Sequence, residues 1–387
     1  MNRKRLLVAA SALLLCSATA ALEVRADETS GNISISKAIS NLKFYGDARL
    51  RQENFWKSSP GQSDRSRQRF RLRIGAQTQF DDVTLGMRLV SGTGEQNSTN
   101  QSFDNLETGK TIFIDQAYLQ WKARDWLKLT GGKMPNPFWR PYTSDIMWDE
   151  DVMPEGFAEQ VDWKFTDRLS VFANLTQMVL DEDANDNDDQ WLFGHQVGAQ
   201  VKLPAEAQWT VGAAYYDAMN ETKNDFGIVP TAAEGNARAN AGGVLKATFT
   251  LVSLSNELTF KVGPYPVTLA ADYLNNVAEN GVLGSSGTEK VAYQVGFIFG
   301  KASKAMSWEV AYFYKWIESN ATFAELTDSD FGDGGTNRRG HIIWLAFNPR
   351  DYLQIRTKLG LTEVIRSELA PGPDNIARWQ LDVSVKF

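Results

Sequence analysis

Apolar and polar residues alternate along most of the chain beyond residue 42. Leu42, Phe44, Gly46, Ala48 and Leu50 share one side of an extended segment, and Lys43, Tyr45, Asp47, Arg49 and Arg51 share the other. Further on, Phe70, Leu72, Ile74 and Ala76 oppose Arg67, Arg69, Arg71 and Arg73, then Val83, Leu85, Met87 and Leu89 oppose Thr84, Gly86 and Arg88. Side chains two apart lie on the same face of a strand, so each segment has one apolar and one polar wall. Segments of this kind begin near residues 42, 67, 83, 111, 126, 157, 169, 192, 207, 250, 267, 289, 306, 341, 351 and 378, which predicts sixteen strands. Residues 219 to 250 are the least patterned stretch, where Val244 to Leu254 offers an earlier strand start.

A soluble sandwich has the same period of two, so the connections decide the fold class. Short ones at Asp81-Asp82, Ala123-Arg124-Asp125, Asp167-Arg168 and Gly263-Pro264-Tyr265-Pro266 alternate with long polar ones near 54–66, 93–110, 181–190, 219–240, 318–340 and 366–377. Tight turns at one rim and long loops at the other predict an all-β transmembrane antiparallel barrel of about 16 strands, wide enough for an aqueous channel. Trp121, Trp126 and Trp163 lie beside the short connections, where amphipathic rings would sit at headgroup level. The final nine residues, Trp379 to Phe387, place apolar groups at odd positions and polar ones at even positions. This terminus resembles the closing strand that barrel-assembly machinery recognises in Gram-negative outer-membrane proteins, with Trp379 and Phe387 as the assembly signal.

The two ends and the charge refine this reading. Arg3, Lys4 and Arg5, then apolar Leu6 to Leu15, then small residues have the layout of a secretory signal, with cleavage expected after Ala20 or after Ala26. The expected organisation is a signal peptide over 1–26, a short N-terminal segment over 27–40 and a pore domain over 41–387. The single cysteine, Cys16, falls inside the signal, and Leu15 stands where acylation signals need a small residue. The mature chain then has no cysteine for a disulfide or thiolate metal site. Beyond the signal no run of about 18 apolar residues could form a membrane helix. Removing 1–26 takes four basic residues and one acidic residue from 40 and 47, leaving 36 and 46, a net charge of −10, which disfavours nucleic acid as a partner.

The Arg67, Arg69, Arg71, Arg73 ladder carries the most local information. One arginine facing lipid at the midplane costs roughly 2–4 kcal/mol, so the four are expected to face water. Neighbours about 7 Å apart repel by only about 0.6 kcal/mol in water, which counter-ions or facing carboxylates offset. Arg49, Arg51 and Arg88 extend the wall. Such a wall is expected either to be plain solvated lumen surface or to concentrate anions through its focused field.

Between the fifth and sixth predicted strands, Pro135-Asn136-Pro137-Phe138-Trp139-Arg140 is followed by Asp145-Ile-Met-Trp-Asp149-Glu150-Asp151-Val-Met-Pro-Glu155-Gly156, a loop rich in aromatic and acidic residues. Lys133 to Trp139, Trp148 to Asp151 and Pro154-Glu-Gly156, with the Asp47-x-Arg49-x-Arg51 strand and terminal Phe, resemble the putative porin family of Gram-negative bacteria. That resemblance implies an inserted third loop whose carboxylates, Asp145, Asp149, Glu150, Asp151 and Glu155, face Arg49, Arg51, Arg69 and Arg71. It also implies a bacterial outer-membrane location among outer-membrane lipid and lipopolysaccharide, passive diffusion of small hydrophilic solutes or ions, and a homotrimeric assembly.

Other chemistry finds little support. The acidic run Asp181 to Asp189 lacks the glycine and distal glutamate of an EF-hand loop, so no metal is expected. The two histidines, His195 and His341, have no neighbouring nucleophile motif, and no hydrolase, zinc or phosphate-loop signature occurs, so neither enzyme activity nor a cofactor is expected. The alternative to a porin is a structural barrel that sheathes or anchors a partner such as a periplasmic electron carrier. A sheath needs an open bore, so placement of the third loop discriminates.

Overall fold

The computed structural model describes residues 41–58, 63–106, 109–182, 184, 188–222, 235–236, 245–278, 289–369 and 374–387; the predicted signal and the 27–40 segment lie outside these, as does part of the acidic run at 181–189. The strands are β1 (Lys43–Lys57), β2 (Arg65–Phe80), β3 (Val83–Ser91), β4 (Gln101–Ser102), β5 (Ile112–Arg124), β6 (Leu127–Lys133), β7 (Glu155–Lys164), β8 (Leu169–Asp181) and β9 (Gln190–Lys202). They continue with β10 (Gln208–Met219), β11 (Thr250–Val262), β12 (Tyr265–Asn276), β13 (Val291–Gly300), β14 (Ser307–Ile317), β15 (Arg338–Arg350), β16 (Leu353–Val364) and β17 (Asn375–Lys386). The two-residue β4 pairs with Arg69 and Phe70 of β2, beyond the stretch that β3 pairs. Sixteen barrel strands remain among the described residues, and their starts fall within three residues of those read from the alternation. In the 219–250 region the strand starts at Thr250, at the later of the two predicted positions.

Each strand pairs antiparallel with its neighbour, and β1 closes the sheet on β17 from Asp47↔Lys386 to Lys57↔Ile376. Backbone hydrogen bonds between Gly46 and Phe387, at 3.0 and 3.1 Å, finish the seam. A β-carbon at Gly46 would lie 2.8 Å from the Phe387 ring and against the Arg73 carbonyl, so only glycine fits there. Trp379 is held in register by its indole N–H to Thr357 Oγ1 at 2.9 Å. Closure gives every barrel strand a hydrogen-bonded neighbour on each side, which a sheet in lipid requires.

Burial is inverted relative to a soluble domain. Leu50, Ile74, Leu254 and Val295 are exposed on the outer surface, whereas Asp47, Arg49, Arg51, Arg69 and Arg71 are buried toward the bore. Trp126 and Trp163, both exposed, meet edge-to-face with centroids 5.8 Å apart at the short-turn rim, and the Trp121 indole donates to Asp82 at 2.6 Å.

The inner wall is divided. On β1, β2 and β17 it is charged, but on β10 to β15 it carries Tyr216, Leu251, Leu274, Phe313, Ile342 and Trp344, all buried. Two loops pack on this apolar half: loop 3 (residues 134–154) through Phe138, Ile146 and Trp148, and loop 7 (residues 318–337) through Phe323, Leu326 and Phe331. Loop 7 was expected to be a polar connection outside the barrel. It folds inward because it carries its own apolar residues and because Ile342, Trp344 and Ala346 turn an apolar face to the bore.

The outer face sets a stability test. Leu345, mid-strand in β15, is 47% exposed. Leu345→Arg is expected to lower the folding free energy into lipid by roughly 2–4 kcal/mol, read from guanidinium titration of the refolded barrel. A change near zero would place this face out of the bilayer core.

Candidate functional site

Loop 3 leaves β6 at Met134 and docks first on the far wall. The Phe138 ring occupies the space left by Gly194 of β9, where a β-carbon would come within 2.3 Å of it. The Trp139 ring lies over Gly212 of β10. Gln196 clamps the turn, accepting from the Trp139 N–H at 2.8 Å and donating to its carbonyl at 2.7 Å. Phe138 then packs against Trp148 and Tyr216, at centroid distances of 6.0 and 5.0 Å. The aromatic content of this loop is therefore its anchor to the β9–β10 wall.

The loop crosses the bore and ends on the arginine ladder. Arg71 Nη1 lies 3.2 Å from Glu150 and 3.7 Å from Asp151, and Arg73 Nη1 lies 3.3 Å from Asp151. Both arginines also bind Asp47 of β1, at 3.0 Å for Arg71 and 2.5 Å for Arg73. Asp151 accepts in addition from the backbone and hydroxyl of Thr99, at 3.1 and 3.0 Å. The rest of the ladder is occupied locally: Arg67 pairs with Glu53, Arg69 donates to the Asn100 carbonyl at 3.3 Å, and Arg88 pairs with Asp115.

Loop 7 is tied to the opposite flank of the charged wall. Asp330 accepts from Arg51 at 2.7 Å and from Arg378 at 2.6 Å. Arg378 also donates to the Ser329 carbonyl at 2.7 Å and to fully buried Glu53 at 2.5 Å. Arg51 is held bidentately by Asp382, at 2.6 and 2.8 Å. Bidentate charge-assisted pairs of this kind fix geometry as well as charge.

The loops are latched to each other. Asp149 N–H donates to the Leu326 carbonyl at 2.7 Å, and its carboxylate accepts from Ser329 N–H at 2.9 Å. Lys315, on the inner face of β14, bonds Asp145 of loop 3 and Asp328 of loop 7, the latter at 2.8 Å. Burial raises both carboxyls. At Asp328 the Lys315 and Lys358 charges outweigh it and hold the group below the usual carboxylate range. At Asp145 burial and the Asp328 charge prevail and push it up to about 7. Asp149 is raised well above the ordinary carboxylate value by burial and then by Asp151 and Asp328.

Between the loops and the wall lies a cavity of about 270 Å³. Arg49, Arg51, Arg356 and Lys358 face it from β1 and β16, and Asp145, Asp149, Glu150 and Asp151 from loop 3. Glu150 and Asp151 meet Arg71, Arg51 meets Asp330 of loop 7, Asp145 meets Lys315, Asp149 meets backbone, and Glu155, on β7, meets Lys133 at 2.7 Å. Arg67, Arg69, Arg71, Arg73 and Arg88 do not line this cavity, because local carboxylates, Asn100 and loop 3 cover them. The sequence reading missed Lys315, Asp328, Asp330, Arg356 and Lys358. One signal was available: the run Ile342 to Phe347 breaks the alternation with apolar residues on both faces, the mark of an inner wall that something covers.

A closed sixteen-stranded barrel, apolar outside, charged within and narrowed by inserted loops, defines a porin-type channel of the bacterial outer membrane. The chain belongs to the family described as Putative porin, whose sequence model matches residues 36–237 and 222–387. Among solved structures it is similar to OprB of Pseudomonas putida in its high-pH structure, with 12% identity, a TM-score of 0.58, and coverage of 91% of this chain and 96% of that one. At that identity the likeness shows the fold. The outer membrane channel DcaP of Acinetobacter baumannii matches with 12% identity, a TM-score of 0.48, and coverage of 89% and 97%. A mutant of Rh. blastica porin matches with 10% identity, a TM-score of 0.47, and coverage of 89% and 100%. No curated protein sequence matches the chain.

The Asp145 latch titrates near neutrality. Because its folded value is raised from 3.8 to about 7, its stabilising contribution is complete below 3.8 and is lost as pH rises through about 7. Single-channel current is therefore expected to become noisier from pH 6 to pH 8 as the latch loosens, and Asp145→Asn is expected to abolish that dependence. Equal noise at both values in the wild type would remove Asp145 from the latch.

Proposed function

We propose that this outer-membrane channel passes small hydrophilic solutes by passive diffusion and prefers anions. The supporting observation is the charge left over in the bore. Arg356 and Lys358 form no ion pair among the described residues, and Arg49 has only a 3.8 Å approach to Asp382, which already holds Arg51 bidentately. By contrast, the loop carboxylates of Asp145, Glu150, Asp151, Asp328 and Asp330 are engaged by Lys315, Arg71, Arg73 and Arg51, and that of Asp149 by backbone N–H groups. A narrow, low-dielectric channel focuses the field of its unneutralised charges, so β1 and β16 carry the selectivity in this reading and the β2 ladder anchors loop 3. The two inserted loops occupy the space that a sheath would leave for its partner. His195 stacks on Tyr215 and His341 bonds Tyr312, both on outward-facing strand positions away from the bore, so the reading gives neither a catalytic role.

The test is the reversal potential of the refolded protein in a planar bilayer under a potassium chloride gradient. The wild type is expected to favour chloride. Each exposed charge acts on a passing ion by about 1 kcal/mol at contact in water, so Arg356→Glu with Lys358→Glu is expected to lower the chloride-to-potassium permeability ratio on the order of tenfold or more. A correctly inserted barrel without conductance would refute the channel; cation preference in the wild type would refute the selectivity.

A further inference from the structure

Of the aromatic side chains in loop 3, Phe138 and Trp148 are buried and Trp139 is half-buried, whereas Tyr142 is 49% exposed and faces the cavity between the loops. An apolar ring left open inside a bore has not been placed there by packing. It is also tightly positioned. The turn Pro141–Ser144, closed by Ser144 N–H to the Pro141 carbonyl at 2.9 Å, is pinned by four neighbouring strands. Glu257 accepts from Tyr142 N–H at 2.7 Å, Asp272 accepts from the Ser144 hydroxyl, Gln294 donates to the Thr143 carbonyl at 3.0 Å, and Glu309 accepts from the Tyr142 hydroxyl at 3.5 Å. The turn holds Thr143 at φ 62°, an outlier for a β-branched residue and a kind of strain that collects at functional sites.

The ring's surroundings supply a second, independent feature. Glu309 also accepts from the Trp344 indole at 2.9 Å, and the Arg356 guanidinium stacks 4.6 Å from the centre of that indole. Arg356 forms no hydrogen bond among the described residues, and its buried Nε has no partner. Lys358, two residues along the same face and beside Trp344 in register, adds a second cation without an ion pair among the described residues. Rigid guanidinium on an aromatic shelf is suited to a carboxylate, and an exposed ring alongside is suited to a flat apolar body. The cavity, about 270 Å³, approaches the low end of small-molecule sites.

We infer that Tyr142, Arg356 and Lys358 form a binding site for small aromatic carboxylates, with the carboxylate on the two cations and the ring against Tyr142. This inference deepens the anion-channel reading and rests on it. Solutes of that class bind in transit, so they block the chloride current saturably.

The experiment compares benzoate with acetate as blockers of chloride current through single wild-type channels. Benzoate is expected to reach half-block at a concentration roughly 3- to 10-fold lower than acetate, the range of an added ring contact. In Tyr142→Leu the two half-block concentrations are expected to converge, in Tyr142→Phe benzoate is expected to keep its advantage, and in Arg356→Gln/Lys358→Gln block by both acids is expected to weaken. Heat-modifiable migration of each variant confirms a folded barrel. Chloride preference in the wild type with equal block by the two acids, or a benzoate advantage that survives in Tyr142→Leu, overturns the site and leaves the anion channel standing. Cation preference in the wild type overturns the anion-channel reading itself.

Discussion

Everything in this molecule follows from the pairing of β1 with β17. A sheet in lipid has no water to satisfy an open edge, so it must close, and closure assigns one face of every strand to lipid and the other to the bore. Once that is done, the charged positions of β1, β2, β16 and β17 share an interior with no outlet but each other and the solvent within. The seam is made by residues at the two ends of the barrel sequence, Gly46 and Phe387, which fit because one of them has no side chain.

Within the closed wall, charge is used to place loops more than to face solute. Arg71 and Arg73 hold the end of loop 3 through Glu150 and Asp151, while Arg51 and Arg378 hold loop 7 through Asp330. Leaving one partner of such a pair buried alone costs about 3–5 kcal/mol, so each loop is strongly tied at its charged end. The opposite ends are held by ordinary packing, with Phe138 over Gly194 and Phe323 against Phe249 at 4.3 Å. An apolar half-wall and a charged half-wall together stretch the loops across the bore. Arg356 and Lys358, which form no ion pair with either loop among the described residues, line the cavity that the loops leave.

This division explains why arginines alike in sequence differ in role. Arg49 and Arg51 lie on the cavity, whereas Arg69 and Arg71, opposite them in register, are covered by Asn100 and by Glu150 and Asp151. A strand pattern tells which face a side chain takes, but both sets take the same face. Whether a loop then covers it depends on residues far away in the chain.

The barrel, its strand number and its two faces were legible along the chain, because a period of two, unequal connections and the cost of a charge in lipid are properties of local sequence and of the solvent. Arg67 to Arg73 had to point inward, and the aromatic, acidic stretch after β6 had to be a loop with prolines at its start. Three-dimensional packing brought loop 7 into the bore, placed Lys315 between Asp145 and Asp328, and left Arg356 and Lys358 without an ion pair among the described residues. Those outcomes join positions far apart in the chain, such as Asp145 and Lys315, 170 residues apart, and Arg51 and Asp330, 279 apart. They depend on which inner-wall patches the loops bury and which charges are already neutralised when they arrive, a competition settled by three-dimensional packing and invisible to any local pattern.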